Sequence, residues 1–281
     1  MNNQTNDPIA EFYDRNPENE WNRLFVTPYR QIEFEVIHYF WNRYLPPQGK
    51  ILDLGGGPGR LTISLAKKGY KVSLVDISPA NIEWARKKIA GCGAAENVEN
   101  LIVADARRLP MFHAETFDAV LCMGPLYHLV DHRERLQCLR ECARIMKPDA
   151  PLFVTLLPRW KLLRDALRAG EFEKEAELRS AALEEILQRG YSNAAQIPPT
   201  YFCHPGELAQ WFAESGFHLL KMASCHGFAS FVDEKVNAIA RNASAWQSLI
   251  RWVLDSCDDP EALSSAEHLL GIGKKRINPF M

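Results

Sequence analysis

The residues of this chain that are best suited to chemistry surround a glycine-rich turn. The segment 51–60 reads ILDLGGGPGR, an apolar run that meets an acid and then four glycines. Asp53, Gly55, Gly57 and Gly59 form the pattern acid-x-Gly-x-Gly-x-Gly. Glycine tolerates positive φ angles and lets a ligand lie flat against the backbone. The pattern therefore predicts a nucleotide-binding turn between a strand and a helix.

The glycine spacing separates this turn from the one that binds dinucleotides. The dinucleotide fingerprint needs glycine at its first, third and sixth positions. Counted from Gly55 the sixth position is Arg60, and counted from Gly57 it is Thr62. Neither register fits, which weakens the alternative of an NAD(P)-binding oxidoreductase.

A second acid, Asp76, ends the next apolar strand, about 20 residues after the glycine turn. Dinucleotide enzymes use an acid at this spacing to accept ribose hydroxyls, and a carboxylate offers two oxygens for a bidentate contact. Asp76 could instead cap the helix that starts near Pro79, but Ser78 is better suited to that role. The position of Asp76 thus favours a ribose contact.

Strand and helix patterns alternate around these acids. Such alternation predicts a parallel sheet with helices on both faces and right-handed crossovers. Ligands then bind beyond the carboxyl ends of the strands, where the acids stand. The predicted strands are 50–54, 71–75, 100–103, 117–123 and 151–156, and the predicted helices between them are 59–68, 79–90 and 133–146.

The acid-and-glycine pattern resembles the first motif of the class I S-adenosylmethionine (SAM) dependent methyltransferases. The resemblance continues in the expected order from Lys50 to Thr155 and resumes weakly at the C-terminus. It implies an α/β fold with a Rossmann-like, doubly wound, seven-stranded and mostly parallel sheet. It also implies SAM as the cofactor and S-adenosylhomocysteine as the product.

The resemblance also assigns cofactor contacts. Asp53 would hold the methionine ammonium group, unless it only caps the following helix. Asp105 would accept the adenine amino group while the backbone N–H of Ala106 reaches a ring nitrogen; the alternative is a loop aspartate that starts a turn. The cofactor-binding positions implied by the family are Asp53, Gly55, Gly57, Gly59, Asp76, Ile77, Asp105, Ala106 and Met123.

The candidate catalytic residues follow the fourth predicted strand. The segment 123–128, MGPLYH, resembles the corresponding motif of small-molecule methyltransferases. It is not the Asn/Asp-Pro-Pro-Tyr/Phe motif of methylases that act on amino groups of bases or glutamine, which argues against that subclass. His128 is the candidate general base, because an imidazole pKa near neutrality suits proton transfer; a packed structural histidine is the alternative. Tyr127 would orient the substrate or only form a wall of the pocket.

Additions are expected around this core. Residues 1–46 are predicted to form an N-terminal helical cover, 47–157 the SAM-binding core and 158–204 an inserted helical lid. Residues 205–281 complete the core, with a helical insertion and closing antiparallel strands. The segment 158–199 is predicted to contain no strand.

Four residues of these additions are candidates for substrate binding. In related enzymes an aromatic residue of the cover often lies over the cofactor, and additions tend to set substrate choice. The candidates are Tyr13 and Trp21 in the cover and Tyr201 and His204 at the end of the lid. Ordinary packing is the alternative for each of them.

Composition narrows the classes of function. A net charge of −2 and a pI near 6.5 are unusual for a dedicated nucleic-acid binder, which is more often basic. No apolar run has the length of a membrane span, and residues 1–7 lack a signal-peptide pattern. The seven cysteines suit the core of a protein in a reducing compartment. These features predict a cytoplasmic protein without a nucleic-acid or membrane partner, and they leave monomer and homodimer open.

A metal site is not predicted. His128, Asp131 and His132 lie close in the sequence, but no further ligand accompanies them at a recognised spacing. Asp131 is better explained as the N-cap of the following helix. Cys138 and Cys142 lie inside a helical pattern and are expected in the core.

The predicted function is transfer of the methyl group of SAM to an O, N or S atom of a small metabolite. Most of the rate acceleration would come from positioning the acceptor against the methyl carbon. The alternatives are a methyltransferase that acts on RNA or on a protein side chain, and a catalytically silent SAM-binding regulator.

Overall fold

The fold is built on one sheet, seen in a computed structural model that describes residues 7–168, 170, 186–192 and 198–277. Within these residues nine strands are connected by hydrogen bonds. They are β1 (Lys50–Leu54), β2 (Lys71–Asp76), β3 (Val98–Val103), β4 (Ala119–Cys122), β5 (Pro151–Pro158), β6 (Tyr191–Ser192), β7 (Thr200–Cys203), β8 (Phe217–Ser224) and β9 (Leu269–Lys275).

Seven of these strands form the body of the sheet, in the order β3-β2-β1-β4-β5-β9-β8. Strands β1 to β5 pair in parallel, and β9 runs antiparallel to both β5 and β8. This confirms the predicted seven-stranded, mostly parallel, Rossmann-like sheet. Strands β1, β2 and β4 are buried almost along their whole length, as parallel strands covered on both faces must be.

The other two strands form a hairpin at the end of β5. Strand β7 pairs in parallel with Leu157 and Pro158 of β5, and β6 pairs antiparallel with β7. The prediction that residues 158–199 contain no strand is therefore wrong at Tyr191–Ser192. Two residues carry no periodic pattern that a sequence could show, and β6 exists only because β7 lies beside it.

Twelve α-helices lie wholly within the described residues. Asn242 accepts the N–H of Ala245 at 3.0 Å and so starts a new helix inside the predicted helical insertion, which contains two helices, Asp233–Ile239 and Ala243–Ser256. The helices are α1 (Pro8–Asp14), α2 (Pro17–Asn22), α3 (Pro28–Tyr44), α4 (Arg60–Lys67), α5 (Pro79–Ala90), α6 (Pro125–His128), α7 (His132–Ile145), α8 (Lys161–Arg168), α9 (Glu207–Glu214), α10 (Asp233–Ile239), α11 (Ala243–Ser256) and α12 (Pro260–Ser264). Across the described residues, no helix combines the length and the apolar character that crossing a membrane requires.

Only parts of the predicted lid are described. Helix α8 and residues 186–189 are helical, as expected. Residues 169, 171–185 and 193–197 of the predicted lid lie outside the described residues. The domain boundaries themselves stay predictions.

The first two helices form a cover that is fastened to the core. Asp14 at the end of α1 accepts the hydroxyl of Ser78 at 2.5 Å and the N–H of Ala80 at 3.0 Å. Ser78 in turn caps α5 by accepting the N–H of Asn81, as predicted. Because α5 starts just after β2, these bonds hold α1 above the carboxyl end of the sheet.

The residues considered for a metal site have other partners. Asp131 caps α7 by accepting the N–H of Arg133 at 2.6 Å, which confirms its predicted role. His132 lies 3.4 Å from Glu214. Cys138 and Cys142 are buried in the core beside Cys122, and all three are free thiols.

Candidate active site

A cavity lies between the cover and the carboxyl ends of the strands. It encloses about 1160 Å³ of empty space, part of it open to solvent. The structure brings ten of the predicted site residues to its walls, from five separate segments of the chain. They are Tyr13, Gly55, Gly57, Asp76, Ile77, Asp105, Ala106, Met123, Tyr127 and His128.

The glycine turn has the geometry that its sequence predicts. Gly55, Gly57 and Gly59 have φ angles of +72°, +56° and +85°, in the left-handed region. A Cβ atom on Gly55 would lie 2.5 Å from Cδ of Pro125. Gly59 does not line the cavity. It is the N-cap of α4, and a Cβ atom on it would lie 3.2 Å from Cβ of Ala85 on α5. Gly59 therefore serves helix packing in this structure.

Asp76 stands at the end of β2 with its carboxylate tied to the glycine turn. One oxygen accepts the N–H of Gly57 at 2.8 Å, and the other accepts the N–H of Ser78 at 2.9 Å and the amide of Asn81 at 3.3 Å. Burial raises the pKa of Asp76, and these bonds oppose the rise. The bonds hold the carboxylate at the cavity wall.

Asp53 lies behind the turn. The hydroxyl of Thr62 donates to Asp53 Oδ2 at 2.6 Å, and the backbone N–H of Thr62 bonds to the same carboxylate. Burial raises the pKa of Asp53 to about 6, although the bonds from Thr62 lower it. The Asp53 carboxylate thus holds the first turn of α4 through Thr62, a role similar to the alternative of a helix cap. Among the described residues, the cavity walls include Leu54 and Gly55 but not Asp53.

Asp105 lies at the cavity wall, and its carboxylate is bound by Arg107. It accepts the backbone N–H of Arg107 at 2.8 Å, which is the turn-starting bond of the alternative interpretation. The Arg107 guanidinium also binds both carboxylate oxygens, at 2.5 to 3.0 Å, and pairs with Glu134. An adenine amino group would have to share the Asp105 carboxylate with this arginine.

His128 is held in one tautomer between two partners. Its Nδ1 lies 3.0 Å from the carbonyl oxygen of Pro199, and a carbonyl only accepts, so Nδ1 carries the proton. Its Nε2 is then an acceptor, and the Tyr13 hydroxyl donates to it at 2.7 Å. The basic nitrogen of His128 therefore points to the cavity side, toward the cover.

The environment of His128 also changes its basicity. The side chain is only 9% exposed, and burial lowers its pKa to about 4, against a smaller opposing effect of the Pro199 bond. The prediction of a pKa near neutrality is wrong, because the sequence does not reveal how deeply α6 is buried. The ring is neutral at physiological pH, and it is a weaker base than a free histidine. Burial also raises the pKa of Tyr13 and of Tyr127, so both phenols stay protonated.

A charged cluster that the sequence did not predict lies in the cavity wall. Arg23, just after α2, places Nη1 3.3 Å from both oxygens of Glu33 on α3, and its Nε lies 3.5 Å from Glu20. Nδ1 of His268 lies 2.9 Å from Oε2 of Glu33. Burial alone raises the pKa of Glu33, but Arg23 and His268 outweigh it and hold that pKa well below its usual range. The cluster fixes one guanidinium against the cavity.

Replacing Glu33 by glutamine is expected to lower the free energy of unfolding by about 2–4 kcal/mol, because it leaves Arg23 and His268 without their carboxylate. The free energy of unfolding of Glu33→Gln should fall less in acid than that of the wild type. A carboxylate with a depressed folded pKa stabilises the wild type above its unfolded pKa of about 4.3, and this stabilisation is lost as the pH falls through the folded pKa. Denaturant unfolding at pH 7 and at about pH 3, below the unfolded pKa, measures both effects.

The matched control is Glu35→Gln on the same helix. Glu35 accepts only the Gln31 amide at 3.2 Å, and in the described part of the chain it has no ion pair. A Glu33 variant as stable as the Glu35 variant would contradict the prediction.

Three predicted substrate residues lie away from the cavity. The Trp21 ring stacks on the Arg60 guanidinium, 3.8 Å from the ring centroid, and its carbonyl accepts from the same group. The Tyr201 hydroxyl donates to Glu207 at 2.6 Å, and its ring lies under Arg135. His204 is exposed. The alternative of ordinary packing describes Trp21 and Tyr201 in this structure.

The known proteins most informative for this site are methyltransferases. The family described as a methyltransferase domain matches residues 51–149. A tRNA 5-carboxymethoxyuridine methyltransferase of Escherichia coli is 25% identical over 84% of each chain. A ubiquinone biosynthesis O-methyltransferase of Xanthomonas axonopodis is 28% identical over 65% of this chain and 68% of its own.

Solved structures agree with this match. A SAM-dependent methyltransferase of Methanosarcina mazei superimposes with a TM-score of 0.58 at 20% identity, over 85% of this chain and 98% of its own. Residues 51–149 of the chain match a methyltransferase domain, and the comparisons together support the class I SAM-dependent methyltransferase superfamily. Its cofactor is SAM. These matches confirm the resemblance that the glycine turn predicted.

Proposed function

We propose that this protein transfers the methyl group of SAM to an O, N or S atom of a small acceptor that reaches the cavity beside His128. The observation that carries the proposal is the single tautomer of His128, which turns a basic nitrogen toward the cavity that the SAM turn also lines. Met123 and Gly124, which precede His128 by a few residues, line the same cavity as the glycine turn.

The residues present suit the cofactor. Gly55 leaves room that a Cβ atom would fill. Asp76 suits the ribose and Asp105 the adenine, and the guanidinium of Arg23 offers a cation for the methionine carboxylate. When bound, SAM supplies an electrophilic methyl group on a sulfonium.

His128 would receive the proton that the acceptor gives up. Its Nε2 now accepts from Tyr13, so the acceptor must either displace the Tyr13 hydroxyl or pass its proton through that hydroxyl. Tyr127 and Thr155 form further polar wall near this position. Tyr13, Glu20 and Arg23 of the cover line the cavity and limit the access of water to the reacting groups.

The acceptor group must be small, because residues of α1 and α2 line the cavity and narrow it. A free small metabolite is one candidate, supported by this enclosure and by the ubiquinone biosynthesis relative. A modified nucleobase of an RNA is the second candidate, supported by the tRNA methyltransferase that matches 84% of this chain.

Calorimetric titration with SAM, S-adenosylhomocysteine and NADH tests the cofactor, and acceptor screening for release of S-adenosylhomocysteine tests the reaction. We expect micromolar binding of the first two compounds and none of NADH. Binding of SAM without turnover on any metabolite or RNA would favour the silent regulator. No binding of either sulfur compound to folded protein would refute the proposal.

A further inference from the structure

A row of arginines lies on the surface beside the cavity. Five arginines from two segments, the loop after β3 and helix α7, line one open groove of about 1330 Å³ of empty space. They are Arg107, Arg108, Arg133, Arg140 and Arg144. We call this surface the arginine groove.

Three of these arginines are uncompensated. Arg107 pairs with Asp105 and Glu134, and Arg144 pairs with Glu141. Arg108, Arg133 and Arg140 are exposed, and none of them forms an ion pair with any residue that the structure describes. The groove therefore carries an excess of positive charge, although the chain as a whole has a formal charge of −2.

The helical arginines share one face of α7. Gln137, Arg140 and Arg144 come four, seven and eleven residues after Arg133. This spacing places all four residues on one stripe of the helix. At 1.5 Å per residue the stripe from Arg133 to Arg144 is about 16 Å long. That length corresponds to about four or five nucleotides of a strand at 3.4 Å each.

The groove is continuous with the active site. Arg107 lines both the groove and the cavity, where it holds Asp105. Arg107 also pairs with Glu134 of α7, the residue next to Arg133, so the Arg133 end of the groove is the end that meets the cavity. A molecule lying along the groove would therefore have its end at the mouth of the cavity.

We infer that the arginine groove binds the phosphate backbone of an RNA strand, from which one nucleobase enters the cavity. Guanidinium groups bind phosphate through paired N–H donors. A concave, extended row suits a flexible strand, whereas a flat membrane surface cannot reach into a groove. The inference rests on the proposed methyl transfer and selects its second candidate, an acceptor carried on RNA.

The test measures binding of bulk tRNA to the full protein as a function of salt. The variant Arg108→Gln, Arg133→Gln, Arg140→Gln removes the three uncompensated charges. Each phosphate contact contributes about 0.7 to the slope of log K against log salt, so the triple variant should reduce that slope by about 2 and weaken binding at low salt at least about tenfold.

The control variant removes three exposed cations from the helical insertion, at Lys235, Arg241 and Arg251. It should bind tRNA as the wild type does. Equal losses in both triple variants, no tRNA binding by the wild type, or groove-dependent binding to phosphatidylserine vesicles but not to tRNA would each overturn the inference. SAM binding by calorimetry separates the two proposals: a protein that binds SAM but no tRNA refutes the groove alone.

Discussion

Replacing His128 by asparagine is expected to lower the rate of methyl transfer about 100-fold to 10,000-fold, the range that a positioned general base contributes. The asparagine amide nitrogen takes the place of Nδ1 and still reaches the Pro199 carbonyl, so α6 keeps its anchor. What the variant lacks is Nε2, the nitrogen that faces Tyr13. Single-turnover rates and SAM affinity are the two measurements, and SAM affinity should not change.

His113→Asn is the matched control, because His113 is exposed on a loop outside the cavity walls. The Tyr13→Phe variant adds a second comparison. If the acceptor proton passes through the Tyr13 hydroxyl, this variant also loses activity; if the hydroxyl only occupies Nε2, the rate holds or rises. A His128 variant with full activity would show that the histidine is structural.

The pH profile gives an independent reading of the same residue. The proton acceptor is the neutral ring, and burial lowers the pKa of His128 to about 4, so the neutral form predominates above that value. The part of kcat/KM that depends on His128 should be level from about pH 6 to 8 and fall below about pH 5. A histidine with its ordinary pKa near 6.5 would place the inflection there instead.

Replacing Asp76 by asparagine is expected to weaken SAM binding about tenfold to a hundredfold, or 1.5–3 kcal/mol. The reason is the loss of a charged acceptor that the N–H groups of Gly57 and Ser78 hold against the cavity. An amide in this place turns one donor toward those N–H groups and loosens the turn as well. Calorimetry with SAM measures the affinity, and denaturant unfolding measures the stability of the same variant.

The control for Asp76 is Asp118→Asn. Asp118 also accepts a backbone N–H, that of Lys50 at 2.8 Å, and it forms an ion pair with Lys147 at 2.7 Å. It lies, however, at the amino end of the sheet. Both variants remove one acid at a strand end, and only Asp76 faces the cavity. Equal SAM affinity in the two variants would remove Asp76 from the site.

The local part of the site could be predicted because its causes are local. Positive φ angles at Gly55 and Gly57 follow from residue type, and the caps at Ser78 and Asp131 follow from side chains a few residues from the N–H groups they accept. The order of strands and helices follows from periodicity over about ten residues. A hairpin strand of two residues is too short to leave such a signal, and β6 was missed for that reason.

The sequence by itself determined the order of strands and helices and the glycine turn, since each depends on neighbours along the chain, and its resemblance to a known family implied the complete sheet and the cofactor. Only the tertiary structure joined Tyr13 to His128, 115 positions apart, and Glu33 to His268, 235 positions apart. It also set the basicity of His128 and gathered arginines of two segments into one groove. These properties depend on burial and on which distant elements pack together, and neither residue spacing nor net charge contains that information.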